Sequence, residues 1–316
     1  MTTAAGNLQV SGARASGPAR SAWAGLQGER WHGYLFIAPA FLFMAAVIVL
    51  PLVKAFWTSL QRVRGLNVSF VGFDNYARVL GDESFWNSLS VSLRFTILCV
   101  AMHMAIGLAI ALLLNQVTRA QAILRIAFLT PWMVAPAICA TIWLWLLEPQ
   151  FGVVNYLLMA IGLIDAPKAW LGEPALAFGS IVAVDVWRGI PFVMLLLLAG
   201  LQTIPVEQYE AASIDGATPL QKFRHITLPN LRYFIVVAST LDIINTIRMF
   251  DIIAVMTGGG PVGATEVLPA LLYNTAFRAN QFGQAAAIGV LLLALVLFFS
   301  VFYIRLTKTQ AQDASQ

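Results

Sequence analysis

Six apolar stretches dominate this chain, at residues 34–58, 91–114, 124–147, 176–200, 233–256 and 284–305. Each is long enough, as a helix, to cross about 30 Å of hydrocarbon. That restricts the fold severely, because lipid offers no hydrogen-bond partners and a spanning segment must satisfy its own backbone. Only 11% of the 316 residues are charged and 59% are hydrophobic, whereas a soluble domain carries about 25% charged residues. The expected fold is all-α, a polytopic membrane protein with six transmembrane helices. Pro39, Pro51, Pro131, Pro136 and Pro191 fall in or near the stretches and predict kinks that neighbouring helices re-satisfy. A seventh apolar patch, residues 153–164, is too short to span and reads as surface-lying or re-entrant.

Basic residues set the orientation. With the amino terminus inside, the inner segments hold Arg14, Arg20, Arg30, Arg119, Arg125, Lys222, Arg224, Arg232, Arg305 and Lys308. The outer segments hold only Arg62, Arg64, Arg78, Lys168 and Arg278. Both termini are therefore expected in the cytoplasm. Residues 1–30, rich in Ala, Gly and Ser, read as a flexible cytoplasmic tail without the apolar core of a cleaved signal. Residues 31–308 form the transmembrane domain and 309–316 a short cytoplasmic tail. The net charge of +4 comes mostly from residues at span edges, so nucleic acid is not an expected partner; the lipid bilayer is. Cys99 and Cys139 lie inside apolar runs and read as small packing residues.

The inner loop at 205–230 carries its own start and stop signals. Pro205 can open a helix, where a missing N–H costs nothing. Glu207 and Glu210 then suit the positive helix end. Ala211 and Ala212 have high helix propensity and little bulk, and Gly216 can stop the helix at positive φ. Thr218, Pro219 and Gln221 read as a second start closed by a capping box. A second short helix is expected to run to Leu228-Pro229, with Phe223 and Ile226 on one face.

The order Glu210-Ala211-Ala212, then Gly216, then Ile226-Thr227-Leu228-Pro229 ten residues after the glycine resembles the EAA loop of permease subunits in bacterial ATP-binding-cassette importers. Phe70-Val71-Gly72-Phe73-Asp74-Asn75-Tyr76, Val186-Trp187-Arg188-Gly189-Ile190-Pro191-Phe192 and Thr257-Gly258-Gly259-Gly260-Pro261 are similar to segments of carbohydrate-uptake permeases of the maltose and glycerol-phosphate type. The resemblance covers about residues 34–305. It implies a type I importer permease in the bacterial cytoplasmic (inner) membrane. It implies that Glu210, Ala211, Ala212, Asp215, Gly216 and Pro229 belong to an ATPase-coupling loop. The implied partners are a second, homologous permease subunit, two ATP-binding subunits and an extracytoplasmic solute-binding protein. The implied cargo is a sugar or related polar solute, with glycerol-3-phosphate as the alternative.

Charges inside the spans need partners, at about 2.5–3.5 kcal/mol each on insertion scales. Asp185 and Arg188 fall in the fourth span, and Asp242, Arg248 and Asp251 in the fifth. Asp185 with Arg188 and Arg248 with Asp251 are three apart and can meet on one helix. Depth counting at about 1.5 Å per residue also matches Asp185 with Arg248 and Arg188 with Asp242 across antiparallel helices. Two roles stand open for this set, a structural charge network and the lining of a translocation pathway. His103, alone in the second span, reads as a satisfied packing residue. Trp132, Trp143, Trp145, Trp170 and Trp187 read as interface anchors or packing residues, one or two of them available to stack on a sugar. No phosphate-cradling glycine motif, metal-ligand cluster or paired nucleophile is present in the sequence. No catalytic residue, metal or cofactor is therefore expected in this subunit, and ATP hydrolysis is assigned to its partners. An ion-coupled secondary transporter is the competing class, and it calls for inverted repeats with broken helices.

Overall fold

The computed structural model describes Tyr34 and residues 36–64, 67–116 and 121–313. The tail expected at 1–30 and Arg119 lie outside them. The described residues fall into two units, divided between Lys54 and Ala55. The first candidate span, α1, is Phe36–Ser59. In the first unit Phe41, Leu42, Phe43, Val47 and Val49 are all exposed. A helix apolar on every side is one that lipid can surround.

In the second unit, a ribbon of β1 (Gln61–Arg64) and antiparallel β2 (Asn67–Phe70) pairs Gln61 with Phe70 and Arg64 with Asn67. This ribbon was not expected from the sequence. It is pinned by α2 (Asp74–Leu80), whose buried Asn75 donates to the carbonyls of Ser59 and Gln61. Asp74 accepts from both Arg62 and Arg78. The long α3 (Glu83–Gln116) follows and packs along α7 (Pro174–Leu201). Over its most apolar window α7 is 56% buried, against 28% for α3, so α7 is the central helix of this unit.

The third expected span is not one helix. It divides into α4 (Gln121–Met133) and α5 (Pro136–Leu146), bent by 92°. The cause is local: Ala135 precedes a proline, which excludes it from helical geometry, and it sits at φ −57°, ψ 137°. Pro136 then opens the new helix. Among the described residues, five helices are long and apolar enough to cross a membrane, or six if the bent pair is one span. The short patch forms α6 (Val153–Ala160), held by buried Asn155, which bonds Pro149, Lys168 and Trp170.

Beyond α7 come α8 (Val206–Ile214) and α9 (Pro219–Lys222). The expected stop at Leu228-Pro229 does not occur. A π-helical turn, Phe223–Thr227, carries α9 directly into α10 (Leu228–Ile247). Proline ends a helix by clashing with the carbonyl four residues back. Here the wider turn relieves that constraint, and Leu228 N–H donates to Phe223 O, five residues back. The span then breaks at residues 248–250 before α11 (Asp251–Met256). After α12 (Leu268–Tyr273), the last helix α13 runs from Phe282 to Asp313, past the tail boundary expected at 308.

Candidate functional site

Two constellations in the second unit hold the residues singled out in the sequence. The first is the hairpin of α8 and α9. Pro205 caps α8 from an extended conformation, one residue earlier than the first-turn place expected for it. At the other end, Gly216 N–H donates to Ser213 O and Ala217 N–H to Ala212 O, which is a Schellman closure. Gly216 takes φ +74° with nothing within 4 Å of where a Cβ would stand, so its conformation, not crowding, calls for glycine. Thr218 and Gln221 form the expected capping box, with each side chain bonded to the other's backbone N–H.

The two arms are then tied together by side chains. Lys222 Nζ donates to Ser213 Oγ at 2.6 Å, and Tyr209 and Thr227 share a hydrogen bond at 2.9 Å. Asn230 donates to Gln208. Glu210, Ala211, Asp215, Gly216 and Pro229 are exposed, whereas Ala212 is half-buried. Sequence reasoning passed over Ile214 and Leu220, which are 88% and 73% exposed on either side of the glycine turn. Their signal in the sequence is two large apolar residues flanking a polar glycine turn.

The second constellation lies inside the spans. Neither Arg188 nor Arg248 makes an ion pair among the described residues, so none of the four expected acid–arginine pairings forms. Instead Asp185 and Asp242 converge on His103. His103 Nδ1 lies 2.9 Å from Asp242 Oδ2, and Nε2 lies 3.2 Å from the backbone oxygen of Asp185. The Asp185 carboxylate stands 3.8 Å from Nε2. All three side chains are buried. Depth counting failed here because it fixes height and ignores which way a helix face points. The third helix, α3, stands between the two carboxylates and supplies the partner.

The ring of His103 reaches α7 only because residue 189 is glycine. A Cβ there would overlap the ring at Nε2 and Cε1. Arg248 ends α10 and turns back to Ile244 O and Asn245. Asp251 sits exposed in the first turn of α11, where a carboxylate suits the helix N-terminus. Arg188 is half-buried with its Nε lacking a protein partner, as does the Trp143 Nε1 on α5. Trp143 meets Trp187 edge-on at 5.6 Å between ring centres.

Helices of spanning length, an exposed hairpin between two of them and buried polar groups at the centre define a polytopic helical membrane protein. The sequence comparisons name the family. Residues 103–310 match the family described as "Binding-protein-dependent transport system inner membrane component", and the chain belongs to it. It is similar to the trehalose/maltose transport system permease protein MalF of Thermococcus litoralis, 41% identical over 87% of this chain and 93% of that one. It is also similar to the sulfoquinovosyl glycerol transport system permease protein SmoG of Agrobacterium fabrum, 34% identical over 90% and 92%. A bacterial transporter importing the acidic polysaccharide alginate shares the fold, with TM-score 0.79 at 20% identity, covering 91% of this chain and 98% of that one.

Proposed function

We propose that this chain is one membrane-spanning half of an ATP-driven importer, carrying a sugar or glycoside into the cytoplasm. Two relatives bear the names of trehalose/maltose and sulfoquinovosyl glycerol systems, and a third that of a diacetylchitobiose uptake system. All three names denote glycosides. None favours glycerol-3-phosphate, and family membership sets aside the ion-coupled class. A second, homologous permease, two ATP-binding subunits and an external solute-binding protein complete the assembly. The chain itself contributes no nucleotide site, and both termini lie inside.

The observation that carries this reading is the hairpin. It is closed on its own hydrogen bonds, yet Ile214 and Leu220 remain uncovered beside Gly216. Apolar groups on a rigid, self-satisfied support are what a partner groove can bury without ordering cost. The exposed residues Glu210, Ala211, Asp215 and Gly216 meet the ATP-binding subunit there. Pro229, at the start of α10, links the hairpin to its span. Within the membrane, Arg188 and Trp187 face the pathway, where Trp187, 41% exposed, is available to stack on a sugar ring.

A single cysteine at Ala211→Cys tests the docking role in the complete importer. A bifunctional crosslinker should join it to the ATP-binding subunit, and an impermeant maleimide should not label it in intact cells. Labelling from outside, or no crosslink to that subunit, overturns the assignment.

A further inference from the structure

The hydrogen-bond geometry around His103 bears on the proton between its ring and Asp242. A backbone carbonyl only accepts. The 3.2 Å contact from Nε2 to Asp185 O therefore puts a proton on Nε2. In a neutral imidazole the other nitrogen is then a bare lone pair. That lone pair would face an ionised Asp242 oxygen at 2.9 Å, two acceptors in contact. The contact is bonding only when one more proton lies between them, on imidazolium or on carboxylic acid. Around the ring, α3 itself brings Cys99, α7 brings Asp185 with Arg188 beyond it, and α10 brings Asp242. Cys139 of α5 lies within electrostatic reach of Asp185 and Arg188.

We propose that His103 is a positioning residue. One proton held between its Nδ1 and Asp242 clamps α3 to α10, while its Nε2–H fixes the turn of α7 that carries Trp187 and Arg188. The second half rests on the reading that Trp187 and Arg188 face the pathway. Residues 187 and 188 lie within the turn bounded by Asp185, whose carbonyl the ring grips, and Gly189, on which the ring sits. A helix turn held at both ends cannot rotate, so its two side chains are aimed by a contact they do not share.

The proton makes this testable beyond a structural role. Asp242→Asn supplies a permanent N–H toward the Nδ1 lone pair, so its clamp needs no added proton. Asp242→Ala has no clamp at any pH. Apparent melting midpoints of the complete importer are to be compared at pH 7 and pH 9.5. The wild type should lose about 2–4 °C more than Asp242→Asn over that interval, a shift typical of one modest interaction. Asp242→Ala should melt low at both pH values. Parallel slopes for wild type and Asp242→Asn, or an Asp242→Asn protein as unstable as Asp242→Ala at pH 7, would overturn the clamp.

Labelling of Arg188→Cys by a water-soluble maleimide, at pH 7 in the same importer, reads the positioning. Its rate should change when Asp242→Ala is added and return with Asp242→Asn. An unchanged rate overturns positioning. An Arg188→Cys that never labels removes the pathway reading and the positioning role with it, while the melting slopes judge the clamp separately.

Discussion

The hairpin and the His103 cluster are held together in opposite ways. Every bond that shapes the hairpin is local: the Schellman closure and the capping box each join residues at most five apart, and the ties between its arms reach only to Asn230. The His103 cluster joins residues 82 and 139 positions apart on three helices. Apart from the part-buried Tyr209–Thr227 tie, the side-chain bonds of the hairpin are exposed, so each exchanges with water and contributes little alone. The cluster is buried, so a single unmet charge there is costly. An exposed hairpin can thus be stable by itself, while the buried cluster ties three helices through two contacts that water does not replace.

The sharpest way to break this contrast is His103→Ala. It strands Asp242 without a partner, and breaking a buried charged pair costs about 3–5 kcal/mol. The expected result is loss of most assembled importer, read by size-exclusion of the purified complex. Assembly at wild-type yield would mean the cluster is no more critical than a surface contact.

Gly189→Ala comes next. The added methyl must displace the imidazole, and overpacking of this kind costs about 1–3 kcal/mol. A lower melting midpoint with assembly retained is expected, and an unchanged midpoint would show that the ring has room to retreat. Thr218→Ala is the smallest. It removes one side of the capping box for about 1 kcal/mol, confined to the hairpin. Hydrogen exchange should rise at the amides of residue 218 and residues 220–222 alone. A rise spreading to α7 or α10 would show that the hairpin is not self-contained.

The same contrast decides what was legible in the sequence. Caps, the glycine turn and the span positions follow from neighbouring residues, so Thr218, Gln221 and Gly216 could be assigned roles that the geometry repeats. The apolar runs gave the helices, and Pro136 hinted at the bend without giving its 92°. Partners inside the bundle were not legible. Asp185 and Asp242 were visible as anomalies, and spacing proposed arginines for them. The true partner was a lone histidine on α3, between them. The one available signal was Gly189, a small residue one helical turn after Asp185 in an otherwise bulky apolar run. Pro229 misled in the other direction, because a stop signal is only local and the π-helical turn overrides it.

That turn has a mechanical consequence. Between Thr218 and Ile247 the chain never leaves helical geometry, so the arm beyond the glycine and the span it feeds make one stiff rod. The other arm meets α7 through a non-helical join before Val206, which can flex. A load placed on the tip is thus carried along that rod into α10, with a share passed to α8 through the ties between the arms. It arrives about 22 Å up the rod from Thr227, at 1.5 Å per residue, where Asp242 grips its histidine.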